Sequence, residues 1–199
     1  MVNEEPGQVT GVVLAAGRAR RAGGVNKALV PWPDGDRSVP LFEFAAANLR
    51  ACCERVFINT ERDRAVFEAA GYAVIGDGPF VDHGPLAGIY AGCQATDDEW
   101  LAVAPCDQLA LPNQVYAKLV QAARRDGAAY AVSGGSLIPT CAVLHTKLVH
   151  LVREALMDQR LALVPFMQRH AVPVRFDDVE FANVNDPFGG SANRERPTE

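Results

Sequence analysis

The chain is poor in metal-binding and cross-linking residues. Its five cysteines (Cys52, Cys53, Cys93, Cys106, Cys141) contain no C-x-x-C pair, and its four histidines are scattered. That excludes a zinc module and a disulfide-stapled secreted domain, and it reads as reduced thiols in a cytosolic protein. Long apolar runs are also missing; none approaches the roughly 20 residues that cross a bilayer. The first residues, Met1 to Gly7, are polar and acidic and carry no signal-peptide pattern. Positive charge is in deficit, with 19 Lys and Arg against 24 Asp and Glu and a formal net charge of −5. A general nucleic-acid binder needs a broad basic face, so neither nucleic acid nor membrane is expected as a partner.

What remains is ordinary globular material: 199 residues, 49% hydrophobic and 22% charged, enough for one well-packed α/β domain. Strand-like and helix-like segments alternate. Val9 to Ala15 is an apolar run that reads as a buried parallel strand. Pro31 to Val39, rich in Pro, Asp and Gly, reads as a turn. Pro40–Cys53, Arg62–Ala70, Pro85–Ala95, Pro112–Arg125, Thr146–Met157 and Leu161–Arg169 read as helices. Arg55–Asn59, Tyr72–Ile75, Trp100–Ala104, Ala128–Val132, Leu137–Leu144 and Val172–Phe176 read as strands. The alternation predicts a Rossmann-like three-layer α/β/α sandwich with a mostly parallel sheet. The expected domain spans 1–188, in two halves near 8–110 and 111–188, with a disordered tail at 189–199.

One segment departs from the acidic average. Leu14-Ala15-Ala16-Gly17-Arg18-Ala19-Arg20-Arg21-Ala22-Gly23-Gly24-Val25-Asn26-Lys27 follows the first strand and holds four positive charges with no acid. Its glycines let the backbone approach a ligand, and arginine and lysine grip phosphate oxygens. It is not a P-loop, since no Ser or Thr follows Lys27, and it is not G-x-G-x-x-G. By itself it fits either a small polyanion such as a nucleoside triphosphate or a basic surface turn. Asp107 ends an apolar strand and suits either Mg2+, which prefers hard oxygen ligands, or a helix cap. Gly84-Pro85-Leu86-Ala87-Gly88 allows a flat base against the backbone or simply starts a helix. Asn183 and Asn185 share a face if extended, for a polar ligand or for a turn. Cys106 has no neighbouring histidine and reads as packing, and His83 reads as a surface-loop residue. Ligands of parallel sheets sit at the carboxyl ends of strands, where the loop, Asn59, Asp77 and Asp107 all fall.

Taken together, Leu14-Ala15-Ala16-Gly17 with Arg21, Gly23-Gly24 and Lys27, then Asn59, Asp77, Gly84–Gly88, Pro105-Cys106-Asp107 and Asn183-Val184-Asn185 resemble the molybdenum cofactor guanylyltransferases, a branch of the nucleotidyltransferase superfamily. The resemblance runs from about Val9 to Pro187. It implies GMP transfer from GTP to the terminal phosphate of molybdopterin, with release of pyrophosphate. It implies that Leu14, Ala15, Ala16, Gly17, Lys27, Asn59, Asp77 and Gly88 contact GTP. Arg21 and Gly24 lie at the phosphates, Asp107 holds Mg2+, and Asn183, Asn185 and Arg160 face the pterin acceptor. Molybdoenzymes or cofactor-biosynthesis proteins are the implied protein partners, in the cytoplasm. The chain departs from the family at Asn26, where Asp is usual, at Ala16, where a second Gly is usual, and before Arg160, where a glycine is missing. A cytidylyltransferase acting on a related acceptor keeps the same chemistry. A GTP-binding adaptor without catalysis is the alternative from another class, prompted by Asn26.

Overall fold

The structure is a computed structural model that describes residues 8–17 and 26–184. Its frame is one seven-stranded sheet. The strands are β1 (Val9–Leu14), β4 (Arg55–Asn59), β5 (Ala73–Ile75), β6 (Trp100–Pro105), β7 (Ala128–Ser133), β8 (Ser136–His145) and β9 (Val172–Arg175), in the order β5-β4-β1-β6-β8-β7-β9. Every pairing is parallel except those of β8 with β6 and β7. The reversal has a local cause. Only Gly134 and Gly135 separate β7 from β8, and a connection that short joins antiparallel neighbours, whereas a parallel crossover needs a dozen or more residues. The expected mostly parallel sheet is therefore present with one reversed strand.

Residues on neighbouring strand positions point to opposite faces, and in the central strands both faces are apolar. Val13 of β1 and Ala102 and Ala104 of β6 join one core layer, while Val12, Leu101 and Val103 join the other. The first layer is closed by α1 (Leu41–Arg50), α2 (Arg64–Ala69) and α4 (Gln114–Asp126), through Phe42, Leu49, Phe67, Val115 and Leu119. The second is closed by α3 (Pro85–Gln94), α5 (Val149–Met157) and α6 (Leu163–His170), through Leu86, Ile89, Leu156 and Phe166.

Pro31 to Val39 differs from the expected turn. It forms a two-stranded hairpin, β2 (Pro31–Asp34) with β3 (Arg37–Pro40), closed by Gly35-Asp36. The prolines that argue against a central strand are tolerated in a ribbon with two free edges. Trp32, half-buried, packs with Val30, Leu41 and Val184 and so ties the hairpin to the body of the protein.

Helix α3 crosses the sheet very closely at Gly88. A Cβ there would stand 2.3 Å from Asn59 Oδ1 and 2.6 Å from Leu14 Cδ2. Elsewhere in a helix Gly→Ala stabilises by about 0.5–1 kcal/mol. Here the clash wins. Gly88→Ala is expected to cost about 1–3 kcal/mol and lower Tm by roughly 2–10 °C in thermal denaturation; an unchanged or raised Tm would show that helix and strand end are not so tightly apposed.

Candidate active site

Strand register sets the site. Leu14 is level with Asn59 on one side and with Pro105 on the other, and Asn59 is level with Ile75. Asp77 and Asp107 thus each lie two residues beyond one common line of strand ends. The chain leaves β1 towards β4 and β5 and returns to β6 on the far side, so the crevice between β1 and β6 is a topological switch point. The backbone is knitted together here: the Ala15 N–H donates to Asn59 O (2.9 Å), and the Cys106 N–H donates to Leu14 O (3.2 Å). Ala16 is half-buried and Gly17 exposed, so the end of β1 opens to solvent.

Lys27 and Asp107 meet in this crevice, Nζ to Oδ2 at 2.5 Å, although 80 residues separate them. Lys27 opens a 3-10 turn, Lys27–Leu29, whose Ala28 is fully buried and anchors the turn. Asn26 caps that turn, its Oδ1 accepting from the Ala28 N–H (3.1 Å), and its Nδ2 donates to Asp63 Oδ2 (3.0 Å). An aspartate at 26 could accept but could not donate, and it would face the Asp63 carboxylate. The departure at Asn26 therefore has a local structural use. Both members of the Lys27–Asp107 pair stay partly open, with side chains 29% and 21% exposed. Solvent screens a partly exposed pair, which is worth about 1 kcal/mol or less.

Asp107 is held by two arrangements that the sequence does not announce. From α1, Asn48 donates through Nδ2 to Leu109 O (2.9 Å) and accepts through Oδ1 from the Leu111 N–H (2.9 Å). From the other side, residues 182–184 lie along 107–109. The Leu109 N–H donates to Ala182 O, the Val184 N–H donates to Asp107 O, and Asn183 bridges Gln108. Gln108 is wholly buried; its Nε2 donates to Ala182 O (3.0 Å), and its Oε1 has no hydrogen-bond partner. Asn48 carries one sequence signal, a polar residue among the apolar positions of an amphipathic helix. Gln108 carries none beyond adjacency to Asp107. Asn183 is exposed on this seam while Val184 is buried beneath it.

Asn59 and Asp77 form a second polar unit. Asn59 Nδ2 donates to Asp77 Oδ1 (2.8 Å) in a buried position, and the Asp77 N–H donates to Glu61 Oε1 (2.5 Å). Burial raises the Asp77 carboxyl above its ordinary range, against the Asn59 hydrogen bond, and the charges of Glu61 and Asp82 add to the rise. Asp77 opens onto the Gly78–Phe80 turn and the loop to Gly84, whose backbone (φ +74, ψ −161) lies in a region open essentially to glycine alone. His83, in the same loop, contacts Gln159 (Nε2 to Nε2, 3.1 Å), which links this loop to the α5–α6 connection. Arg160 follows Gln159; it is exposed and paired with Glu154 and Asp158, each at 2.9 Å. Arg21, Gly24 and Asn185 lie outside the described residues.

No group of three or more His, Cys, Asp or Glu able to hold a metal occurs among the described residues. A metal caged by protein is therefore not what these residues suit. A single half-open carboxylate does suit Mg2+, which keeps waters and takes its other oxygens from substrate phosphates.

The raised Asp77 carboxyl has a consequence for stability. As pH climbs, the unfolded chain loses this proton before the folded chain does, so ionisation weakens the fold above the ordinary carboxylate range. Asp77→Asn cannot ionise and keeps an acceptor for Asn59. Its Tm is expected to exceed that of the wild type at pH 7, with the advantage vanishing in acid where both carboxyls are protonated. Thermal denaturation across pH checks this, and a lower Tm at pH 7 would refute it.

The sequence and fold have known counterparts. Residues 11–174 match the family model described as a MobA-like NTP transferase domain. The chain is 33% identical over 182 residues to the molybdenum cofactor guanylyltransferase of Yersinia pseudotuberculosis serotype O:1b, covering 90% of this chain and 91% of that protein. Among solved structures, molybdopterin-guanine dinucleotide biosynthesis protein A from Archaeoglobus fulgidus superposes with a TM-score of 0.65 at 17% identity, over 83% of each chain. A protein from Aquifex aeolicus VF5 superposes at 0.70 with 16% identity, over 88% of this chain and 92% of its own. With a shared sheet, a family match across most of the chain and relatives over nearly its full length, this protein belongs to the MobA-like NTP transferase family.

Proposed function

We propose that the protein transfers GMP from GTP to the terminal phosphate of molybdopterin, forming molybdopterin guanine dinucleotide and releasing pyrophosphate, in the cytoplasm. The observation that carries this reading is the meeting of Lys27 and Asp107 at the switch point, in a chain 33% identical to a molybdenum cofactor guanylyltransferase.

In this reaction an oxygen of the acceptor phosphate bonds to the α-phosphorus of GTP. The bond from that phosphorus to the bridging oxygen breaks, and pyrophosphate takes the electron pair. The attacking phosphate is already anionic, so no side chain has to remove a proton. The protein's task is to align two anions and offset their charge. Leu14 to Gly17, Asn59, Asp77 and Gly88 bind the nucleotide. Lys27 moves from Asp107 to the phosphates and steadies the departing pyrophosphate. Arg21 and Gly24, outside the described residues, complete the phosphate loop. Asp107 would hold Mg2+, which when bound neutralises oxygens at the reacting phosphorus. Asn183, Asn185 and Arg160 serve the acceptor. The nucleotide-binding half is then about 8–110 and the acceptor half about 111–188. A buried carboxylate is acceptor-only, so Asp77 beside the Gly84–Gly88 segment favours a base edge rich in N–H donors, as guanine has. Delivery to molybdoenzymes or their assembly proteins follows as the next step for the product.

The adaptor alternative rests on Asn26, whose side chain is occupied in capping Lys27–Leu29 and bonding Asp63. That occupation leaves the alternative without its motive. The cytidylyl alternative differs in the base, so a choice between GTP and CTP separates it.

The deciding assay combines the protein with molybdopterin, Mg2+ and α-labelled GTP or CTP. Label is expected in the pterin product from GTP; folded, GTP-binding protein that yields none would refute transfer, and preference for CTP would refute the base assignment. Lys27→Ala is expected to lower kcat by about 10²–10³-fold. Asp107→Ala is expected to abolish turnover, while stability falls by no more than roughly 1 kcal/mol, a Tm drop of about 2–4 °C. Activity retained in Asp107→Ala would remove that residue from the reaction.

A further inference from the structure

Outside the site, Cys52 and Cys53 stand together at the end of α1. Their sulfurs are 3.5 Å apart. The turn that carries them is fixed by three bonds to one carbonyl: the N–H groups of Cys52 (3.0 Å) and Cys53 (2.9 Å) and the Cys52 thiol (3.5 Å) all donate to Leu49 O. Cys52 is half-buried and reachable from solvent, and Cys53 packs into the core behind it. The other cysteines differ. Cys93 and Cys141 are buried, and among the described residues Cys93, Cys106 and Cys141 have no thiol in hydrogen-bond contact. We infer that Cys52 and Cys53 form a preorganised vicinal dithiol that chelates a monosubstituted trivalent arsenical, one arsenic bridging both sulfurs.

Geometry favours a one-atom bridge over a direct disulfide. Adjacent Cα atoms lie about 3.8 Å apart, short of the roughly 4.4–6.8 Å usual for disulfides, so a Cys52–Cys53 bond would be strained and easily reduced. A large thiophilic atom spans the existing gap with the turn intact. Protonation singles out Cys52 as the first attacking thiol, while the hydrogen bond to Cys52 and burial push the Cys53 thiol well up, so Cys53 closes the chelate second. The Cys53 hydrogen bond, helped by the nearby positive charge of Arg124, outweighs burial and lowers the Cys52 thiol below its ordinary value. Burial pushes the Cys93, Cys106 and Cys141 thiols up to about 12, which leaves them poor nucleophiles. The step conserves oxidation state: the arsenic–oxygen bond of R–As=O is lost, two arsenic–sulfur bonds form, and the two thiol protons leave with the oxygen as water. No oxidant or reductant is needed.

The probe is phenylarsine oxide, one equivalent, added to the reduced full-length protein in excess monothiol. Intact mass should rise by one phenylarsenic less two hydrogens, and two thiols should disappear from a count made in denaturant. Trypsin cuts after Arg50 and Arg55 and releases Ala51-Cys52-Cys53-Glu54-Arg55, which should carry the adduct. A dithiol such as 2,3-dimercaptopropanol should strip it where monothiol does not. Cys52→Ser and Cys53→Ser should each bring monothiol-resistant uptake from one equivalent to none. Absence of a monothiol-resistant adduct in the folded wild type, or an adduct mapped to another peptide, would overturn the assignment. Mapping in the wild type decides the matter even if a serine variant fails to fold.

Discussion

The central strands are buried on both faces, and the rest of the molecule follows from that constraint. Val12 and Val13 point into different core layers, as do Leu101 and Ala102. Between Gly11 and Leu14 of β1 and along Leu101–Ala104 of β6 the residues are apolar. Chemistry is displaced to the first residues past the strand ends, and register brings those ends level at Leu14, Asn59, Ile75 and Pro105. The Lys27–Asp107 contact can exist only because β1 and β6 are direct neighbours although distant in the chain. Both side chains stay partly open to solvent.

Loops that carry function need fastening, because they lack ladder hydrogen bonds of their own. Here the fastening is done mostly by amides. Asn26 ties the Lys27 turn to Asp63, Asn48 holds Leu109 and Leu111, and Gln108 holds Ala182. Amides supply donor and acceptor together without adding charge near Lys27 and Asp107. Asp77 is the contrasting case. A carboxylate kept in a buried position is costly to ionise, so Asp77 lowers stability at neutral pH rather than adding to it.

The alternation of elements is legible in the sequence, down to Arg55–Asn59, because doubly buried strands are apolar runs and glycine or proline marks their ends. The candidate residues Lys27, Asn59, Asp77 and Asp107 are legible as polar types at strand ends, and the structure brings Lys27 to Asp107 and Asn59 to Asp77. The β2–β3 hairpin is not, since three prolines mask a two-stranded ribbon whose edges need few N–H donors. The reversed β8 is not either; Gly134-Gly135 marks a turn, but which strands flank it depends on pairing. Asn48 shows only as a polar break in an apolar helix face and Gln108 not at all, because their partners are backbone atoms about 60 to 75 residues away.

Sequence alone determined the α/β class, the family and the cationic loop after β1, because hydrophobic period, turn residues and motif order are properties of neighbours in the chain. Tertiary structure alone decided that Lys27 touches Asp107, that Gly88 must be small because Asn59 and Leu14 crowd it, and that two adjacent thiols face each other. Those facts depend on which strands lie side by side and how closely helices approach them, quantities set by packing of the whole core rather than by any local run of residues.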